Sequence, residues 1–210
     1  MGVAQPSVSH VELVVDLEPR AARATITGAA RLTNTTAQAI DTLYVTFPTS
    51  VARVTWDNLP PQFTLIAADS AQHVYTLALA QPLQPDSSVM LPLNVRLDGG
   101  GIRANGNPID IAANGTYLHS TEFLPRFGFR RGRVLRDSVE RVAQGLPVLS
   151  DTLLLQPASH IDSISAVVAQ HGQSPAWYSA TVTIHTDDDQ VAQGPGLLVA
   201  PRAAGDPSST

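Results

Sequence analysis

The chain has 210 residues, of which 43% are hydrophobic and 15% charged, and its formal net charge at pH 7 is −5. This composition is typical of a folded domain with a sizeable core, and the negative charge gives no general attraction for nucleic acid. Because cysteine is absent, the sequence excludes disulfides, cysteine-bound zinc and iron–sulfur clusters.

The apolar runs are too short to span a bilayer, so no direct membrane insertion by this chain is predicted. Residues 1–6 carry neither the basic nor the apolar part of a signal peptide, and they are interpreted as a flexible or added start. All thirteen basic residues are arginine, which indicates the codon bias of a GC-rich bacterial genome.

The first half of the chain predicts seven short β-strands. Apolar and polar residues alternate with a period near two, and turn residues separate the runs. Gly28 predicts a bulge or a close backbone approach, and Pro92 predicts an edge position or a bulge. The predicted strands cover residues 7–17, 24–33, 40–47, 51–56, 63–67, 73–79 and 87–97. We therefore expect an all-β fold of antiparallel sandwich or saddle-like sheets.

The second half is less regular. One short helix is predicted near residues 135–144, capped by Asp137 or Ser138 and ended by Gly145. Further strands are predicted at residues 116–119, 150–155, 161–169, 177–185, 190–192 and 196–199. The domain organisation predicted from these patterns is one β domain over residues 7–200, followed by a disordered tail at 201–210.

Residues 114–147 break the alternating pattern of both flanks. They hold six of the thirteen arginines, and the cluster Phe123, Pro125, Phe127 and Phe129 lies among them. One interpretation is recognition of an anion, with aromatic rings for stacking. The other is that arginine stems pack on the sheet while their charged heads pair with acidic groups of a neighbouring domain. The acidic remainder of the chain favours the second interpretation.

No catalytic motif is complete in this sequence. None of the six histidines forms the H-E-x-x-H pattern of zinc peptidases, and G-x-S-x-G is absent. The sequence therefore predicts neither catalytic residues, nor a metal site, nor a cofactor in this chain. No set of residues in the sequence supports the alternative of an independent enzyme.

Three stretches resemble the N-terminal domain of aminopeptidase N-type zinc metallopeptidases. They are HVELVVDLEPRAARATITGAARLTNTTAQAIDTLYVTF, NGTYLHSTEFLPRFGFRRGRVLRDSVERVAQGLP and WYSATVTIHTDDDQVAQGPGLLV. The middle stretch resembles a bacterial subgroup in which such a region is attached to an ABC-transporter permease-like membrane segment. The resemblance covers residues 7–200, and the zinc-binding catalytic domain of the family is missing from this chain.

The resemblance implies a non-catalytic scaffold that docks on the parent's catalytic domain and forms one wall of its peptide-binding cleft. Zinc and peptide substrate would then belong to the full-length parent, a bacterial membrane protein that carries this domain in a soluble region. Glu122 is the candidate acidic group near the substrate. The residues of the implied interdomain interface are Phe123, Pro125, Arg126, Phe127, Phe129, Arg130, Arg131 and Arg133. The alternative is a stand-alone binding module that uses residues 122–141.

Overall fold

The computed structural model describes residues 3–57, 59–99, 110–128, 138–145 and 178–199. Within these ranges the chain forms strands β1 (Ser7–Glu18), β2 (Arg23–Thr33), β3 (Ile40–Thr46), β4 (Val51–Val54), β5 (Phe63–Asp69), β6 (Val74–Leu83), β7 (Ser88–Asp98), β8 (Asp110–Ala112), β9 (Gly115–Tyr117), β10 (Arg126–Phe127) and β11 (Ser179–His185). Helix α1 covers Ser138–Ala143, and two 3-10 turns cover Pro19–Ala21 and Ser120–Glu122. The predicted all-β class is confirmed.

Two sheets enclose the core, and β8 and β9 form a separate two-stranded hairpin. The first sheet has the strand order β11-β1-β2-β7-β4, and the second has the order β10-β3-β6-β5. The buried apolar residues of both sheets form one cluster. The period-two pattern explains this packing, because alternate residues of each strand face the core.

Strand β1 shows how the alternation positions its side chains. Val11, Leu13 and Val15 are buried in the core. Their neighbours His10 and Glu12 lie on the opposite, outward face. A bulge between Val8 and His10 shifts the register with β2 by one residue at the start of the strand.

Gly28 in β2 confirms the predicted close approach. Its φ is +139°, and a Cβ added there would overlap the carbonyl oxygen of Glu12 and lie 3.0 Å from the Cα of Leu13 in β1. The pairing of β1 with β2 continues without a shift at this point. Glycine is therefore required by backbone proximity rather than by a bulge.

Pro92 also lies where the sequence predicted, at an edge-like position. It is opposite Ala29 of β2, while β4 pairs with β7 only from Val95 to Leu97. The far side of β7 therefore has no β4 partner at Pro92, and the missing N–H of proline is tolerated there.

The parallel pairing of β1 with β11 differs from the all-antiparallel expectation. Residues 10–16 of β1 pair in order with residues 179–185 of β11, whereas every other described strand pair is antiparallel. Strand β11 confirms the predicted strand at residues 178–185, and Trp177 lies outside the described residues. The predicted strands at 190–192 and 196–199 are wrong, because these residues pair with no described strand.

The chain divides into two compact units, residues 4–127 with 178–210 and residues 1–3 with 128–177. In the smaller unit the predicted helix is confirmed as α1, and Gly145 follows it with φ +67° while its N–H donates to the carbonyl of Val142.

No described helix is long and apolar enough to cross a membrane. The predicted strands at 150–155 and 161–169 and the predicted tail at 201–210 lie outside the described residues, so the single-domain prediction stays a prediction.

Candidate functional site

Glu122, the predicted cleft residue, ends a 3-10 turn and caps it. Its carboxylate accepts a hydrogen bond of 2.7 Å from the N–H of His119, and the His119 ring accepts one of 3.3 Å from the N–H of Thr121. The hydroxyl of the buried Ser50 donates to the Glu122 carbonyl at 2.6 Å. One carboxylate oxygen therefore holds the turn, and the other makes no hydrogen bond with the part of the chain that the structure describes. The substrate role of Glu122 stays a prediction.

Strand β10 separates the two residue types of the arginine-rich segment. Phe127 pairs with Val45 of β3 and is only 3% exposed, in the core. Arg126 pairs with Thr46 and lies on the outward face of the same sheet. Phe127 and Arg126 therefore lie on opposite faces of the second sheet, one in the core and the other outside.

The predicted apolar anchors of the interface are largely packed inside the domain itself. Phe127, Leu124 and Pro125 are buried, and Phe123 packs partly against the core. The surface of Phe127 and Pro125 is thus covered by this chain, and their interface role stays a prediction. Among the predicted residues that the structure describes, Arg126 lies on the outside.

The other predicted interface residues follow β10 in the sequence. Phe129, Arg130, Arg131 and Arg133 lie outside the described residues. The interface assigned to them, and the alternative binding module over residues 122–141, both stay predictions.

A polar cluster that the sequence did not predict lies where β1 meets β11. The Ser179 hydroxyl lies 2.6 Å from Nδ1 of His10, and Nε2 of His10 lies 3.5 Å from the Glu12 carboxylate. Further along the same two strands, Nδ1 of His185 lies 2.7 Å from the Asp16 carboxylate. The His10–Ser179 and Asp16–His185 contacts each join residues 169 positions apart, so only the pairing of β1 with β11 could have revealed them.

Ser179, His10 and Glu12 have the chemical types of a nucleophile, a base and an orienting acid. Their setting differs from that of a catalytic site. The Glu12 side chain is 63% exposed and its contact with His10 is long, so the carboxylate is solvated rather than fixed. All three residues lie on the outward face of a β-sheet, with His10 in register with Ser179 and Glu12 two residues further along β1. We assign the cluster a structural role in holding β11 against β1.

The acidic turn at residues 187–189 also attaches β11 to the start of the chain. Arg20 lies 3.0 Å from the Asp189 carboxylate and 3.7 Å from that of Asp187. The Arg20 side chain is largely exposed, so water screens both ion pairs. The turn is exposed to water and helps to hold the end of β11 near Arg20.

Asn34 lies in a polar turn and is completely buried. Its side-chain N–H groups donate to the carbonyls of Gln38 and Leu83 at 2.7 and 2.8 Å, and its Oδ1 accepts from the N–H and hydroxyl of Thr36. All of its hydrogen-bonding capacity is used inside the fold. The residue is a structural joint between β2, the following turn and β6.

The described residues do not fit a zinc site. No group of three or more histidine, aspartate or glutamate side chains in these ranges lies close enough to hold a metal ion. The two histidine–carboxylate pairs are His10 with Glu12 and His185 with Asp16. Each pair supplies two ligands, whereas structural and catalytic zinc sites require at least three protein ligands. We therefore derive no metal-dependent step for this part of the chain.

Comparisons with known proteins gave only structural similarities. No protein-family profile and no curated protein matches the sequence. The M1 zinc metallopeptidase from Deinococcus radiodurans is similar over 48% of this chain and 22% of its own, with 13% identity and a TM-score of 0.36. Two mutant structures of a two-domain M1 zinc metallopeptidase have the same coverage. The L-tryptophan complex has 13% identity and a TM-score of 0.37, and the L-arginine complex has 20% and 0.34. The chain thus spans about a fifth of the length of these proteins.

Proposed function

We propose that this chain is a non-catalytic N-terminal scaffold domain of an aminopeptidase N-type zinc metallopeptidase. In this role it docks on a catalytic domain outside the chain and forms one wall of the peptide-binding cleft. The sequence resemblance over residues 7–200 supports the family, and the all-β architecture suits a scaffold. Zinc and the peptide substrate then belong to the catalytic domain of the parent.

The observation that carries the docking role is an uncovered apolar segment after β11. Val191, Leu197, Leu198 and Val199 are between 81% and 96% exposed. Large aliphatic side chains lose favourable burial energy, on the order of 2 kcal/mol each, when they stay in water. A contiguous group of them is typical of a surface that another protein part covers.

Attachment of the parent to an ABC-transporter permease-like membrane segment is a finer part of this proposal. It is supported by the resemblance of residues 114–147 alone. The same holds for a bacterial origin, which the arginine-only composition also favours. The sequence downstream of this domain in the parent gene tests these points together, because it would encode an H-E-x-x-H helix and then apolar membrane spans.

An aminopeptidase assay tests the non-catalytic role. The purified chain, incubated with aminoacyl 4-nitroanilides with and without added zinc, is expected to release no 4-nitroaniline above the buffer rate. Hydrolysis that co-purifies with the chain and disappears in a His10→Gln or Ser179→Ala variant would contradict the scaffold role. Absence of an H-E-x-x-H domain from the parent would contradict the family.

Glu122 provides a test of the cleft wall in the full-length parent. Glu122→Gln keeps an oxygen that can accept the hydrogen bond from His119 but removes the negative charge. If Glu122 faces the substrate amino group, KM should rise while the melting temperature of the domain is unchanged. An unchanged KM would leave Glu122 with its capping role only.

A further inference from the structure

The outer faces of the two sheets differ in charge. On the five-stranded sheet, paired residues of neighbouring strands form rows with ionisable groups on the outward face. Asp16 and Arg96 lie in one row, and Arg23 lies between Glu18 and Asp98 in another. Glu12 lies opposite Ala29, which is two residues from Arg31. This face therefore carries both signs of charge and is well hydrated.

The outer face of the four-stranded sheet has an uncharged centre. Tyr44 of β3, Thr76 of β6 and Ala67 of β5 form one row, in register across the three strands. The next row contains Thr42, Ala78 and Thr64 in the same order. Tyr44 is 42% exposed although its ring is the largest apolar group of this centre.

Among the described residues that pair in these three rows, charged side chains stand only at the ends of the third row. The third row runs from Arg126 on β10 through Thr46 and Val74 to Asp69 on β5. An uncharged centre with a polar rim is the usual anatomy of a protein-binding surface. The arginine-rich segment thus contributes a rim residue, Arg126, while its aromatic neighbour Phe127 lies in the core.

The edges of this sheet are less suited to binding than its face. The Gln5 side chain blocks β3 beside β10, because its carboxamide accepts from the N–H of Tyr44 and donates to the carbonyl of Thr42, both at 2.8 Å. At the other edge, the register shift at Ile66 leaves a bulge in β5. Blocked and bulged edges disfavour the addition of another strand. A partner would therefore bind on the face.

The size of the face indicates which kind of partner it fits. Strand spacing and residue rise give the three rows an area on the order of 400 Å². Stable complexes between free proteins bury about 800 Å² on each partner, so a second copy of this chain would bind too weakly. Domains within one polypeptide associate through about 300–750 Å² on each side, because their connection keeps them together.

We infer that the outer face of the four-stranded sheet, centred on Tyr44, Thr76 and Ala67, is the docking surface for a domain joined to this chain in the same polypeptide. That domain presents an uncharged surface to Tyr44 and a carboxylate near Arg126. The inference rests on the proposed function and adds this sheet face to the apolar segment after β11 as a second surface through which the scaffold docks.

Hydroxyl-radical footprinting of tyrosines tests this surface. Tyr44 should be oxidised at least about threefold more slowly in the parent polypeptide than in the isolated chain, because docking removes its ring from water. Tyr117, which is 67% exposed and lies on the β8–β9 hairpin, is the internal control and should react equally in both proteins. Tyr44→Asp should weaken the contact between the docked domain and this face, whereas Thr27→Asp, on the outer face of the five-stranded sheet, should leave that contact unchanged.

Three outcomes separate the possible errors. If the parent contains an H-E-x-x-H domain but Tyr44 reacts as fast as in the isolated chain, this docking face is wrong and the proposed function stands. If the parent lacks that domain, the proposed function fails. In sedimentation velocity at about 100 µM, the isolated chain should be monomeric because the face is too small for a free dimer. A dimer that Tyr44→Asp dissociates would instead assign the face to a second copy.

Discussion

Gly28 of β2 lies so close to the carbonyl oxygen of Glu12 in β1 that no side chain fits between the two strands. Its φ of +139° is also unfavourable for every residue with a Cβ. At this point the inner strands β1 and β2 of the five-stranded sheet therefore meet at a distance that only glycine permits.

Gly28→Ala should lower the free energy of unfolding by about 2–4 kcal/mol, since overlap with backbone and backbone strain act together. Urea denaturation followed by tryptophan fluorescence measures this loss. Gly194→Ala is the matched control, because a Cβ there contacts nothing within 4 Å, and it should change stability by less than about 0.5 kcal/mol. Equal stabilities of the two variants would contradict the close approach.

Asn34→Ala should lower stability by about 2–4 kcal/mol, because it leaves the carbonyl of Gln38 and the buried carbonyl of Leu83 without their side-chain donors. Asn114→Ala is a suitable control, since Asn114 is exposed in the turn between β8 and β9. Both variants can be compared by their denaturation midpoints. A loss as small for Asn34 as for Asn114 would show that water replaces these hydrogen bonds.

Stability should fall at alkaline pH because of Tyr75. Burial raises the pKa of Tyr75 above its ordinary value of 10.0; the hydrogen bond with Ser70 opposes this rise, and the charge of Asp69 adds to it. The unfolded chain therefore releases the phenolic proton at a lower pH than the folded chain does. The contribution of Tyr75 is fully present below pH 10 and is lost as the pH rises towards the folded-state pKa.

Denaturation midpoints measured between about pH 9 and 11.5 check this prediction. Tyr75→Phe keeps the ring contacts with Phe47 and Trp56 but has no ionisable group. The alkaline decline should therefore be smaller in this variant. An identical decline in both proteins would assign the alkaline loss to other groups.

Strand β11 should exchange its amide hydrogens faster than β2. Strand β11 lies at the sheet edge and most of its residues are exposed, whereas β2 is paired on both sides by β1 and β7. Hydrogen exchange followed by mass spectrometry of peptides from the two strands measures the difference. Asp16→Asn should accelerate exchange in β11 only, and by less than about fivefold, because the His185–Asp16 contact is exposed to solvent. Equal protection of β2 and β11 would show that the sheet opens as one unit.

The sequence predicted what depends on local pattern. Alternation placed β1 to β7 within a few residues, Gly28 and Pro92 marked the backbone features found at those positions, and Gly145 marked the end of α1. Each of these signals acts within a few residues of its own position, so a single sequence contains them.

What the sequence did not predict depends on distant pairing. The parallel register of β1 with β11, and with it the contact between His10 and Ser179, follows from the folded topology alone. The division of Phe127 and Arg126 between core and surface depends on the pairing of β10 with β3. An aromatic residue beside an arginine indicated a surface site, but the two-residue strand turned the ring inward.

The pairing of β1 with β11 affects how the protein is made. A ribosome releases β1 first and β11 about 170 residues later, which takes roughly ten to thirty seconds at about 5–20 residues per second. Throughout that time one side of β1 has no partner strand from β11, and its N–H and C=O groups are open to other extended chains. A nascent chain of this protein therefore exposes an open strand edge until its last described strand has been synthesised.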